Sequence, residues 1–389
     1  TFTMVHVYRC NPSGNILAAV AGQSIKISTL TMFDSLNGWG IGLINNSPDD
    51  HVFSTTDGGQ TWLDRTPPVM INSLTDNSLA ADAYFATPAR AWVIYSLRNP
   101  GPASQDLVVW TTTDTGKTWQ SSKPLDLQNV NAEFTVPSNL GFSDTHHGWL
   151  MVHLGVGMSH DYISIFTTTD SGQTWNRVVD PNSSGELMVC PKTGLAFLDG
   201  QNGWLTGDCP GLMDHLFFYH TTDGGQTWNQ ADLPPSAAQA QDLFTQGQSG
   251  CGIPEIVMAH GRNIMLNVRC NFYDTGQPLA WLYSSLDGGQ TWTPRIMPTP
   301  FSEVSFTDLL HGWLNGTFKN DPTAPAEIFS TQDAGQTWSS VLPVGWQGEP
   351  QFVDPLTGWV IALQSNAQAL VKTTTGGKTW MQIQPVVGK

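Results

Sequence analysis

The sequence predicts an all-β chain folded as a single seven-bladed β-propeller of four-stranded antiparallel blades. Three observations predict it. A turn motif of the form Thr-x-Asp-x-Gly-x-Thr-Trp recurs seven times along 389 residues. A second motif, a bulky residue followed by Asp and then by Gly-Trp, precedes most copies. The segments between the motifs are β-branched and aromatic, bounded by turn residues, with no helical period of any length.

The first motif runs Thr55–Trp62, Thr112–Trp119, Thr168–Trp175, Thr221–Trp228, Ser285–Trp292, Thr331–Trp338 and Thr373–Trp380, with Thr375 replacing the Asp in the last copy. The closing Trp residues are spaced by 57, 56, 53, 64, 46 and 42 positions. Within each copy the Asp caps its own backbone, the Gly takes a positive φ, and the Trp is placed to pack back over the turn. The second motif comprises Met32, Asp34 and Gly38-Trp39; Phe142, Asp144 and Gly148-Trp149; Phe197, Asp199 and Gly203-Trp204; Phe306, Asp308 and Gly312-Trp313; and Phe352, Asp354 and Gly358-Trp359. A degenerate form surrounds Phe85 and Trp92, and the fifth repeat keeps only His260-Gly261, with Arg262 at the expected Trp position. Two hairpins per repeat make a four-stranded sheet, and a repeat of this length with four strands is a propeller blade. The expected blades are 26–66, 80–123, 137–179, 190–232, 251–296, 301–342 and 348–386, within a propeller of 26–389. Residues 1–25 form an N-terminal segment that could lend a closing strand from Met4–Tyr8 or Ile16–Val20.

Composition narrows the function. Charged residues are 12% of the chain and the net charge is −16, with 16 basic residues scattered singly. A nucleic-acid binder carries a basic patch, so nucleic acid is a poor partner. No run of apolar residues is long enough for a membrane-spanning helix. The start, Thr1 to Tyr8, has no charged n-region and no small-residue cleavage site, so it reads as a mature or trimmed chain.

The motif Ser/Thr-x-Asp-x-Gly-x-Thr-Trp resembles the Asp box, or BNR repeat, of sialidases, tandem-propeller xyloglucanases, sortilin-type receptors and bacterial secreted propellers. The pairing of Gly-Trp with the box is most similar to the photosystem II assembly factor Ycf48 and its bacterial relatives. The resemblance covers roughly residues 26–385. It implies that Asp57, Asp114, Asp170, Asp223, Asp287 and Asp333 are structural turns on the face opposite the ligand site. It also implies that each blade runs from an inner strand A to an outer strand D, with A–B and C–D turns on a bottom face. The D–A and B–C loops then form the top face. Ycf48 relatives hold a partner with an arginine patch, whereas the eight Arg here are dispersed. The photosynthetic role is therefore not expected to carry over. Sialidase chemistry is not expected either, since seven boxes exceed a six-bladed sialidase and Arg65, Arg177 and Arg295 fall on outer strands. Arg9 lacks the sialidase context.

On that topology Cys190 with Cys209, and Cys251 with Cys270, each 19 apart, would tie the top ends of strands A and B in the fourth and fifth blades. Equal spacing at equivalent positions argues for two disulfides and an oxidising compartment. Cys10 is left over, free or paired outside this chain. The insert 231–250 would lie on the same face. Asp82, Glu303 and Glu349 each precede an inner-strand Phe by three positions and would ring the channel mouth as weak catalytic candidates. Trp346, in a D–A loop, could stack on a ligand. His160-Asp161-Tyr162, Asp214-His215 and Phe272-Tyr273-Asp274 are polar-aromatic clusters in B–C loops. His51, His160 and His215 make no metal motif, so neither metal nor cofactor is expected.

The expected function is an extracytoplasmic, non-catalytic binding or assembly propeller, monomeric, recognising a protein or glycan on its top face. The alternative is a carbohydrate-active hydrolase or lyase using the top-face carboxylates.

Overall fold

The computed structural model describes residues 23–44, 47–68, 78–99, 106–209, 216–234, 249–272, 278–319, 321, 324–365 and 367–388. Seven antiparallel sheets succeed one another along the chain. Their strands A to D are Ile25–Met32, Gly38–Ile44, His51–Thr55 and Thr61–Asp64 in blade 1. Blade 2 comprises Leu79–Phe85, Ala91–Leu97, Val109–Thr112 and Gln120–Ser121. Blade 3 comprises Val136–Phe142, Gly148–Gly157, His160–Thr168 and Asn176–Val179. Blade 4 comprises Lys192–Phe197, Gly203–Gly207, Phe217–Thr221 and Asn229–Gln230. Blade 5 comprises Ser249–His260, Asn263–Phe272, Pro278–Ser285 and Thr293–Ile296. Blade 6 comprises Phe301–Phe306, Gly312–Thr317, Ala326–Thr331 and Ser339–Val344. Blade 7 comprises Pro350–Phe352, Gly358–Gln364, Ala367–Thr373 and Met381–Ile383. From blade 2 round through blade 7 to blade 1, the A strands of successive blades contact one another and line the centre. No helix among the described residues is long and apolar enough to cross a membrane.

The Asp turns work by local hydrogen bonding. In blade 3 Thr168 Oγ1 donates to Asp170 Oδ1 at 2.8 Å, Thr174 N donates to Oδ1 at 2.9 Å, and Thr174 Oγ1 donates to Oδ2 at 2.6 Å. In blade 7 the Thr375 hydroxyl substitutes, accepting from Thr379 N at 3.0 Å and meeting the Thr379 hydroxyl at 2.9 Å. Each Asp turn also leans on the A–B turn of its own blade. The residue after the Asp donates its N–H to that turn: Gly58 to Leu36 O, Ser171 to His146 O, Ala334 to Leu310 O and Gly376 to Leu356 O. Both turns therefore share one end of the blade, the bottom face.

The two Trp classes do different work. Trp62, Trp175, Trp228 and Trp380 donate to the Gly carbonyl of their own turn. Trp119 departs from this and donates to Arg65 O of blade 1. The Gly-Trp residues reach the next blade. Trp92 stacks on Phe142 of blade 3 at 3.8 Å, and Trp313 on Phe352 of blade 7 at 3.9 Å. The closing Trp of the receiving blade then meets the same Phe edge-on, as Trp175 does Phe142. The Gly is required because the inner-strand aromatic lies over it: a Cβ on Gly312 would come 2.6 Å from the Phe306 ring. The core is thus a ring of aromatic layers between blades.

One position differs from expectation. Arg262 does not occupy the Trp site of blade 5. His260 pairs with Asn263 across a tight turn, so Ile264 opposes Ser285 and Met265 opposes Ser284. Trp149 pairs with Thr167 in the same way, before Thr168. Met265 is buried at the Trp position, against Val304 and Leu314 of blade 6. Arg262 instead donates to Asp287 O at 3.0 Å.

Closure of the described ring is C-terminal. Val386–Val387 pairs parallel with Thr61–Trp62, adding a fifth strand to blade 1. The suggested closing strands Met4–Tyr8 and Ile16–Val20, and Cys10, lie outside the described residues.

Candidate functional site

The inner strands carry two of the three expected carboxylates. Asp82, on strand A of blade 2, accepts the backbone N–H of Leu140 in blade 3 at 3.1 Å. Burial raises its pKa, against that bond. Glu303, on strand A of blade 6, has its pKa raised by burial, opposed by the charge of Arg269. Arg269 lies over the Phe301 ring at 5.1 Å. Glu303 pairs across the strands with Asn315, and the Oδ1 atoms of Asn315 and Asn267 are buried with no hydrogen-bond partner. Glu349 is exposed in the connection before strand A of blade 7.

Trp346 is not an exposed ligand platform. It is 8% exposed, meets Trp380 edge-on at 5.5 Å, and packs among Val344, Phe352 and Val360. An apolar ring in a connection beside an aromatic core layer is drawn into it.

The His160-Asp161-Tyr162 cluster divides. Successive residues of a strand face opposite sides, so His160 and Tyr162 are exposed and stack at 5.8 Å while Asp161 turns inward and is buried. The hairpin that carries them has strands of ten and nine residues, the longest B–C hairpin outside blade 5. Its tip bears Val156, 61% exposed, Met158, 95% exposed, and Tyr162, 41% exposed. Tyr273, Asp274 and the pair Asp214-His215 lie outside the described residues, as does most of the insert after Ala231.

Sequence reasoning missed the partners of Asp161. His153 Nδ1 sits 2.8 Å from Asp161 Oδ1, and His153 Nε2 sits 3.0 Å from Ser138 Oγ. Lys192 N, in blade 4, donates to Asp161 Oδ2 at 3.0 Å. Burial pushes the Asp161 pKa up, but the hydrogen bond and charge of His153, with Lys192, outweigh it, and the net shift is downward. The Lys192 ammonium donates to Asp161 O, Val189 O and Cys190 O and lies 4.9 Å over the Phe217 ring. Its burial lowers its pKa to about 8, against the charge of Asp161. The signal in the sequence was a His late in strand B and an Asp early in strand C, on either side of a two-residue turn. A similar arrangement occurs in blade 1, where His51 lies 2.9 Å from Asp64 and 3.1 Å from Ser47.

Cys190 and Cys209 form a disulfide. Cys270 is disulfide-bonded too, and its cross-strand neighbour is Cys251. Among the described residues no group of three His, Cys, Asp or Glu could hold a metal ion. On the bottom half of the channel, Tyr84, Phe142, Phe197 and Ile256 help to line a cavity of about 260 Å³.

No family model matches the chain. It is 24% identical over 272 residues to a xyloglucanase from Paenibacillus sp, covering 65% of this chain and 24% of that protein. It is 27% identical over 162 residues to the photosystem II assembly lipoprotein Ycf48 of Synechococcus sp. (strain CC9902), covering 41% of this chain and 37% of that protein. The matches thus span 24% and 37% of the lengths of these two curated relatives. The solved structure of YCF48 bound to D1 peptide superposes with a TM-score of 0.50 at 17% identity, covering 91% of this chain and 94% of that one. These likenesses support a seven-bladed propeller of the kind found in Ycf48 and the xyloglucanases.

Proposed function

We propose that this chain is an extracytoplasmic binding or assembly propeller that takes a segment of a partner protein on its top face. The observation that carries the reading is the blade 3 hairpin, whose tip presents Val156, Met158 and the stacked pair His160 and Tyr162 to solvent. Exposed apolar side chains grouped at a projecting tip suit protein recognition. The Cys190–Cys209 disulfide and the disulfide-bonded Cys270 favour an oxidising compartment. The likeness to YCF48 bound to D1 peptide is support of the same kind, at the level of the fold.

A selection from a random-peptide display library tests it, run on wild type and on a Met158→Asp/Tyr162→Ser double variant. Enriched peptides should bind wild type at least tenfold more tightly than the variant. Equal binding by both, or enrichment only on a glycan array, would remove the hairpin from the binding role.

A second reading, a carbohydrate-active hydrolase, is favoured by the raised Glu303 and Asp82 carboxyls and by the xyloglucanase likeness. Turnover of a xyloglucan oligosaccharide that disappears in Glu303→Gln would support it. The same turnover in the variant would exclude Glu303 as its acid.

A further inference from the structure

We infer that Ser138, His153 and Asp161 form an acyl-transfer site that hydrolyses a small carboxylic ester, with Ser138 as the nucleophile. This goes beyond the binding role and does not rest on it.

The residues come from strands A, B and C of blade 3 and are joined in one line. Asp161 Oδ1 lies 2.8 Å from His153 Nδ1, and His153 Nε2 lies 3.0 Å from Ser138 Oγ. A nucleophile, a base within hydrogen-bond reach and a third group that orients the base are the recognition geometry of this chemistry on unrelated folds. The Asp161 side chain is 6% exposed, His153 is 21% exposed, and Ser138 is half-buried on the inner strand. The acid is buried, while the histidine and the serine are half-buried.

The surroundings set the direction of the relay. Asp161 is ionised and accepts, so His153 Nδ1 carries the proton and Nε2 presents its lone pair to the Ser138 hydroxyl. The Lys192 ammonium does not compete for Ser138, because it is directed at three backbone carbonyls. Among the described residues the other acceptor within reach of the Ser138 hydroxyl is Asn139 Oδ1, at 3.3 Å against 3.0 Å for His153 Nε2. Asn139 itself has φ 55°, and the pairing of strands A and B shifts register between Trp149 and Met151. Among the described residues the other non-glycine positive-φ positions sit in turns or connections. A bulge inside a strand re-aims a side chain, and here it stands beside the one serine facing the His.

The reaction balances with water as the co-reactant. Ser138 Oγ bonds to the ester carbonyl carbon as its proton passes to His153 Nε2. The tetrahedral intermediate expels the alkoxide, which takes that proton and leaves as the alcohol. Water then attacks the acyl carbon, giving its proton to Nε2. Collapse releases the carboxylic acid and returns a proton to Ser138. An ester fits better than an amide because an alkoxide leaves more readily than an amine anion when one imidazole is the only acid.

The test treats the folded chain with a fluorophosphonate probe, locates the adduct by mass spectrometry, and measures p-nitrophenyl acetate turnover. The adduct should form on Ser138 and vanish in Ser138→Ala. His153→Gln should slow labelling by about 10²-fold or more. Asp161 is a positioning residue, so Asp161→Asn should lower kcat by up to about 10⁴-fold with KM little changed. Thermal unfolding of each variant separates loss of activity from loss of fold. An unlabelled Ser138 in folded wild type, or labelling indifferent to His153→Gln in a folded variant, would overturn the inference.

Discussion

The indole N–H of Trp359 in blade 7 donates to the carbonyl of Gly58 in blade 1 at 3.0 Å, joining residues 301 positions apart. The same contact runs between Trp92 and Ser171 O of the next blade, at 2.8 Å. One device therefore serves both for stacking neighbours and for closing the ring. Trp359 is fully buried, and the Lys372 ammonium lies 4.6 Å over its ring. Trp359→Phe keeps much of the packing and leaves the Gly58 carbonyl without its donor. We expect a loss of about 1–2 kcal/mol in urea unfolding. An unchanged midpoint would show that this hydrogen bond adds nothing measurable to closure.

The seventh Asp turn is the weakest, because the Thr375 hydroxyl stands in for a two-oxygen carboxylate. Thr375→Asp should restore the missing acceptor and raise stability by about 0.5–1 kcal/mol. Asp170→Ala in blade 3 should cost about 1–2 kcal/mol. Scanning calorimetry of the two variants should show melting shifts of opposite sign.

Acid should unfold the protein over a defined window. Hydrogen bonds from Thr118, Thr291 and Thr337 hold Asp114, Asp287 and Asp333 down to about 2. An unfolded Asp titrates near 4. A carboxylate depressed by folding contributes stability above the unfolded value, and that contribution is lost as pH falls from about 4 toward 2. The buried carboxyls Asp82 and Glu303 are shifted upward, so their contribution has the opposite sign and is lost as pH rises through their folded values. Urea midpoints measured from pH 7 to 2 should fall on the acid side, and Asp82→Asn should raise the midpoint at neutral pH relative to wild type.

The Cys190–Cys209 bridge closes a loop of 19 positions. Chain-entropy arguments give such a bridge about 3 kcal/mol. The double variant Cys190→Ser/Cys209→Ser should melt lower by several degrees. Because the bridge adjoins Lys192 and Asp161, it should also loosen the His153 region, measurable as faster amide exchange at His153 and Asp161. Loss of stability without that local change would uncouple the bridge from the relay.

The fold was legible because its determinants are local. The bonds of an Asp turn span no more than four positions, as Thr174 with Asp170 shows, so the motif states its own geometry. The Gly before each Trp is equally legible once Phe306 is seen to cover Gly312. The candidate site was not legible in that way. Trp346, by its place in a D–A loop, reads either as a ligand platform or as a loop anchor; Trp380 and Phe352 offer it an apolar layer, and it is buried there. Sequence adjacency groups Asp161 with His160 and Tyr162, which face the other side of the strand.

The sequence by itself determined seven repeats, their turns and their all-β character, because turn chemistry and strand patterning act between residues a few positions apart. The tertiary structure alone decided which side chains meet. Ser138, His153 and Asp161 come from three strands, and Met265 takes the Trp position because a tight turn sets the register of blade 5. Register is the physical reason: a shift of one residue sends a side chain to the opposite face, and that choice is made by pairing and packing across strands.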